Sequence, residues 1–246
     1  DKAFATTHWS FPSHFSILTG QERGYLFSDP QQRSDNPPPL PVIMAQHGYA
    51  TAISSANNMW FTAKVGDLER GVARFNVYFH NTADSIGRTF FGKVLANTVR
   101  CWAGYFDRPG RKQAFEVNQE VLQWVDYSRA MGRPFMMVLN YFDVHEPYFP
   151  PTPFRNRYSP AVTRDHMASL HPNCSLRSNL THADTQLLID AYDSALAYLD
   201  HWLGDLRKEL EQRGVFDRTL ILITADHGEE LGEQKRFGHT TPVLRQ

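Results

Sequence analysis

Cysteine is nearly absent from this chain. Its two cysteines, Cys101 and Cys174, are too few and too far apart for a thiolate metal knuckle, and at most one disulfide could join them. Neither sign of charge is in excess: Lys plus Arg total 25, Asp plus Glu total 26, and the net charge is −1. That removes the basic surplus expected of a protein that binds nucleic acid or an anionic membrane surface, so no nucleic-acid partner is expected. No apolar run approaches the roughly 20 residues of a membrane-spanning helix. A signal peptide, an internal repeat and a low-complexity tract are all lacking. The sequence begins at Asp1 without Met and is expected to start inside a larger protein, which leaves membrane association unread. What remains is ordinary for a globular protein. The 246 residues are 41% hydrophobic and 21% charged, which suits one α/β domain, with or without an insertion.

The most informative stretch runs from Thr219 to Glu230, TLILITADHGEE. The short apolar run Thr219–Thr224 predicts a buried, parallel strand. It leads into Asp226-His227-Gly228-Glu229. Ligands of open α/β sheets bind beyond the carboxyl ends of strands, so a carboxylate and an imidazole stand side by side where a site belongs.

Other segments follow the same pattern. Phe135 to Phe142 reads as a second buried strand, followed by Asp143, His145 and Glu146. Tyr49 to Ser55 reads as a third strand, after a short helix from Leu40 to His47 closed by Gly48. Helical periodicity predicts helices over 84–103, 116–130 and 184–213. Near the N-terminus, Ser10-Phe11-Pro12-Ser13-His14 carries a proline close to a helix start, which places Ser10 at a helix N-terminus, where anions are favoured. A serine there is a candidate nucleophile toward a negatively charged group. His239, in Arg236-Phe237-Gly238-His239-Thr240, is the last candidate. The segment 149–179 is proline-rich and long for a loop, which is usual for functional or flexible loops.

Taken together, these residues carry a resemblance. Ser10-Phe11-Pro12-Ser13-His14, followed by Leu18-Thr19-Gly20, resembles the signature of the sulfatase family, which reads Cys or Ser, any residue, Pro, Ser, Arg, then Leu-Thr-Gly. Val144-His145-Glu146-Pro147-Tyr148 is similar to that family's His-x-Pro-Tyr segment. Thr224 to Glu229, followed by Leu231-Gly232-Glu233 and His239, is similar to its C-terminal metal motif. The order of the three motifs agrees, and the resemblance covers nearly all of residues 1–246.

The resemblance implies an alkaline-phosphatase-like α/β fold: a largely parallel central sheet flanked by helices, with the N-terminal strand and the C-terminal subdomain missing. It implies a sulfatase-like ester hydrolase with one divalent cation, Ca²⁺, Mg²⁺ or Mn²⁺, held by Asp226 and His227. Ser10 takes the nucleophile position, and His145 and His239 are implied at the ester or its leaving group. His14 stands beside them as a substrate-binding position. The implied substrate is a small-molecule, glycan or lipid-headgroup ester, and the cell envelope or exterior is the implied location. In this family the nucleophile is converted to formylglycine, and Arg at the fifth signature position belongs to the conversion signal. His14 occupies that position here, so the expectation is an unmodified Ser10, with phosphoester hydrolysis or phospho-group transfer as the alternative chemistry. A non-catalytic headgroup-binding member is a further alternative, one that would not need all of Ser10, His145, Asp226, His227 and His239.

Overall fold

The computed structural model of the chain describes residues 4–22, 37–57, 68–77, 89, 112–159, 180–233 and 236–239. At its centre is β1 (Ala50–Ser55), whose small and β-branched residues ATAISS are all buried. β1 pairs in parallel with β2 (Arg74–Asn76) on one edge and with β3 (Phe135–Asn140) on the other. A strand with a neighbour on each side is covered along its length, and accordingly β2 and β3 are only half-buried. Ala50 lies opposite Phe135 and Ser55 opposite Asn140, so β1 and β3 finish together at one edge of the sheet.

Successive side chains of a strand point to opposite faces, and here the two faces serve different helices. On one face, Ala50 and Ala52 pack with Phe135 and Met137 against Trp124 of α3 (Ala114–Ala130). Ser54, on the same face, donates a hydrogen bond to Glu120 of α3, whose carboxylate also holds buried Lys112 at 2.9 Å. On the other face, Ile53 and Val138 meet Phe11, Phe15 and Leu18 of α1 (Ser10–Thr19). The spacing of those residues in α1 makes one apolar stripe. Pro12 sits in the first turn, where its missing N–H needs no partner, and Gly20 ends the helix at φ 71°.

α3 begins in a reciprocal cap between Gln113 and Glu116 and buries Val117, Val121 and Val125. α4 (His182–Gln212) begins in a second such cap, Thr181 with Asp184, and adds Leu206 and Leu210 to the same core. The helix therefore starts two residues before the sequence-based expectation, because Thr181 rather than Asp184 is the cap. α2 (Leu40–Gln46) is present, with Pro41 as its buried residue and with Ile43 and Gln46 exposed. The expected helix over 84–103 lies outside the described residues apart from Thr89, as does 160–179 of the long loop; its first part contains a 3₁₀ turn, Phe154–Asn156. β2 was not anticipated, since three residues are too few to display alternation.

The main correction concerns Thr219–Thr224. This segment is not a buried strand: among the described residues it pairs with no neighbour, and Leu220 and Leu222 are 83% and 82% exposed. Alternation and apolarity report a capacity for pairing, but a strand also needs another backbone to complete its ladder. The turn beyond it is nonetheless held, as described below. The rest of the C-terminal part is a two-stranded antiparallel ribbon, β4 (Glu230–Leu231) with β5 (Phe237–Gly238). No helix among the described residues is long and apolar enough to cross a membrane.

The α1 stripe generates the first prediction. Phe15 is 1% exposed and Ile17, on the same helix, is 49% exposed. Phe15→Ala should destabilise the protein by about 3–5 kcal/mol, whereas Ile17→Ala should stay within about 0.5 kcal/mol. Denaturant unfolding of both variants checks it; equal effects would contradict the packing of α1 on β1 and β3.

Candidate active site

The first turn of α1 meets the turn that follows Thr224. Ser10 Oγ lies 3.1 Å from His227 Nε2. Ser13 Oγ donates to the backbone oxygen of Asp226, which fixes that turn against the helix. His227 Nδ1 lies 2.9 Å from the carbonyl oxygen of Gly228. A carbonyl only accepts, so in this contact Nδ1 carries the proton, and in the neutral ring Nε2 presents its lone pair to the Ser10 hydroxyl. Asp226 Oδ2 is 3.6 Å from the same Nε2. Ser10, Asp226 and His227, which the sequence put forward as nucleophile and metal ligands, are therefore brought to one place.

His239, just after β5, stands over this group, with its ring centroid 4.4 Å from that of His227. His145 lies edge-on to His239 at 5.4 Å and stacks on Phe142 at 4.1 Å. Its Nδ1 donates to the Glu146 carbonyl at 2.8 Å. The two histidines expected at the ester thus lie together beside Ser10's partner.

Glu229 was quoted in the metal motif without a role of its own, and the structure supplies one. One carboxylate oxygen accepts from His239 Nδ1 at 2.8 Å and the other from Tyr148 Oη at 2.8 Å. Burial favours the neutral acid, but the hydrogen bond and charge of His239, with Tyr148 and His145, outweigh it and hold Glu229 below the usual carboxylate range. In return, the Glu229 hydrogen bond raises His239 above the ordinary imidazole value, against the opposing effect of its own burial. Burial and the charge of Glu229 also push the Tyr148 hydroxyl far up, so it remains a donor. His8, two residues before Ser10, was passed over as well. It is buried, and that burial, together with the proximity of His227 and His239, lowers its pKa. Only its proximity in sequence to Ser10 hinted at this.

His14, read from the sequence as a substrate-binding position, is only 6% exposed. Its Nδ1 lies 2.6 Å from the Ser10 carbonyl oxygen and 3.7 Å from Asp226 Oδ2, and its Nε2 lies 3.1 Å from Asn140 Nδ2. Burial lowers its pKa despite the nearby Asp226 carboxylate.

The donor set suits a divalent cation. Two ligands of one small ion stand about 3 Å apart when each is about 2.1 Å from it, and Asp226 Oδ2 and His227 Nε2 are near that separation at 3.6 Å. His227, Glu229 and His239 also place one donor atom each within 4.8 Å of one another. His227 is common to both groups, and its Nε2 has one lone pair, so a cation bound there would take the place of the Ser10 hydroxyl in that contact.

The Glu229–His239 pair ties stability to pH. His239 is raised above 6.5, so its contribution is complete below that pH and is lost as pH rises through the raised value. Glu229 is lowered below 4.5, so its contribution is complete above that pH and is lost as pH falls through the lowered value. The pair is fully effective between 4.5 and 6.5. His239→Gln can keep a hydrogen bond but not the charge. The loss of stability in this variant should be greatest near about pH 5.5 and shrink as pH rises through the raised His239 value. Urea unfolding across that range checks it; a pH-independent difference would show that the pair is not ionic.

The chain is similar in sequence to known proteins. A multifunctional alkaline phosphatase superfamily protein, PehA, from Trinickia caryophylli is 27% identical over 132 residues, 44% of this chain and 26% of that protein. A choline-sulfatase from Rhizobium meliloti (strain 1021) is 28% identical over 139 residues, 49% of this chain and 27% of that protein. The matched region thus spans about a quarter of each relative's length. The sulfatase family model matches residues 1–244. With that match across the chain, and with a parallel α/β sheet whose helices flank it, this protein belongs to the sulfatase family and has its alkaline-phosphatase-like fold.

Proposed function

We propose that the protein is a metal-dependent hydrolase of sulfate esters in which Ser10 is the nucleophile. The observation that carries this reading is the convergence of Ser10 Oγ, at 3.1 Å, and Asp226 Oδ2, at 3.6 Å, on the same nitrogen of His227. Asp226 and His227 would hold one divalent cation, Ca²⁺, Mg²⁺ or Mn²⁺. When bound, such a cation neutralises charge on the ester oxygens. In this reading Ser10 is converted to formylglycine: its hydrate gives one hydroxyl proton to water and forms the new bond to sulfur while the bond from sulfur to the alcohol oxygen breaks, and loss of the second hydroxyl proton then lets the hydrate collapse to the aldehyde and expel sulfate. His239, kept protonated by Glu229, delivers its Nε2 proton to the departing oxygen. His145, beside it, contributes a hydrogen bond to the ester. The substrate class is a small-molecule, glycan or lipid-headgroup ester, and the relative named as a choline-sulfatase supports the sulfate ester. The family's usual setting favours the cell envelope or exterior.

One observation favours a second chemistry. The fifth signature position is a buried histidine engaged by Ser10 and Asn140 rather than an arginine. That weakens the formylglycine signal at Ser10. An unmodified serine can form a phosphoserine that water cleaves, whereas a sulfoserine lacks the carbonyl collapse by which a formylglycine hydrate expels sulfate. Phosphoester hydrolysis by Ser10 is therefore the alternative within the same site.

Both readings predict that Ser10→Ala lowers kcat by on the order of 10³-fold, and that Asp226→Ala loses both bound metal and turnover. Nitrophenyl sulfate and nitrophenyl phosphate assays, with metal analysis of the purified protein, check this. Full activity in either variant would remove that residue from the chemistry. Mass spectrometry of the Ser10 peptide from native-host protein separates the two: formylglycine supports sulfate, and intact serine with phosphatase activity supports phosphate.

A further inference from the structure

Strand parity brings three side chains together behind Ser10. Ser55 shares the face of β1 that carries Ile53, and Asn140 shares the face of β3 that carries Val138. That face packs α1, and the two residues are register partners at the strand ends. Ser55 Oγ lies 3.0 Å from Asn140 Oδ1, and Asn140 Nδ2 lies 3.1 Å from His14 Nε2. His14, one turn along α1 from Ser10, places Nδ1 2.6 Å from the Ser10 carbonyl oxygen. Ser55 and His14 are buried.

The direction of each bond follows from elementary donor and acceptor rules. The Ser10 carbonyl accepts, so the proton sits on His14 Nδ1. The lone pair on Nε2 then needs a donor, which the amide NH₂ of Asn140 provides. The amide oxygen is left facing Ser55, whose hydroxyl donates to it. An amide is the one side chain of this size that can accept on one side and donate on the other. A carboxylate in its place would accept on both.

We propose that Asn140 is a positioning residue: with Ser55 orienting its amide, it fixes the Nδ1–H form of His14, and this form ties the first turn of α1, with Ser10, to the end of the sheet. The same His14 proton faces Asp226 Oδ2 at 3.7 Å, so the tie reaches both partners of His227. The inference deepens the proposed role of Ser10 and rests on it for its catalytic consequence.

Asn140→Asp tests the idea with little change of shape. In the full chain with ¹⁵N-labelled histidine, long-range ¹H–¹⁵N spectra should show His14 as the Nδ1–H tautomer. In the Asn140→Asp variant, Nε2 should become protonated. With the ester substrate, kcat should fall about tenfold or more while KM stays within about twofold. Ser55→Ala, which removes only the orienting hydroxyl, should shift both readouts the same way by a smaller amount, and it serves if Asn140→Asp does not fold. An Nε2–H tautomer in the unaltered protein overturns the inference, as does an unchanged His14 spectrum in the variants. The spectra need no turnover. A tautomer switch in a protein that cleaves no ester would support the positioning role and defeat the hydrolase reading. An active protein whose kcat is indifferent to Asn140→Asp would defeat the positioning role alone.

Discussion

The site depends on one contact: the first turn of α1 against the Asp226-His227 turn, across 217 residues of sequence. Neither partner is stiff by itself. The Asp226-His227 turn follows an extended segment whose apolar side chains are exposed, and α1 is a single ten-residue helix, too short to persist alone in water. Burial of Phe11, Phe15 and Leu18 on Ile53 and Val138 therefore precedes everything else. It sets the helix on the sheet, and the helix then holds the turn through Ser13 and Ser10.

The two faces of the sheet divide the work. The face toward α3 and α4 holds the larger apolar cluster, with Val117, Val121, Val125, Leu206 and Leu210. The face toward α1 ends in polar residues, Ser55 and Asn140, at the edge where the site lies. Since both strands run parallel and finish in register, a pair of polar side chains at their ends meets α1 rather than solvent. Buried polar groups in such a place need directed partners, because each unmade bond costs about 1–3 kcal/mol. That requirement gives the His14 contacts a defined direction.

A second polar network lies beside His227, whose ring centroid is 4.4 Å from that of His239. Glu229 joins Tyr148, from the segment after β3, to His239, after β5. It links the two segments that carry the histidines proposed to act at the ester, and its hydrogen bond and charge raise the pKa of one of them, His239. Thus both networks near the His227 imidazole join parts of the chain that are distant in sequence.

Much of this was legible in the sequence because it is local. The Pro12 signal of α1, the periodicity of α3 and α4, the β1 run, and the polar residues after strands all depend on neighbours within a few positions. The proposal of Ser10, His145, Asp226, His227 and His239 as chemistry-bearing residues followed from motif and order, and the structure brings them to one place. Pairing did not follow. The run Thr219–Thr224 has every local mark of a strand, yet a ladder needs a second backbone. Glu229 and Asn140 look like a motif carboxylate and a strand-end amide, and nothing beside them in sequence names His239, Tyr148, His14 or Ser55 as their partners. The sequence by itself determined which residues could do chemistry and which backbone shapes they favour. Only the tertiary structure decided which of them meet, because donors and acceptors more than 80 residues apart are matched by packing rather than by proximity along the chain.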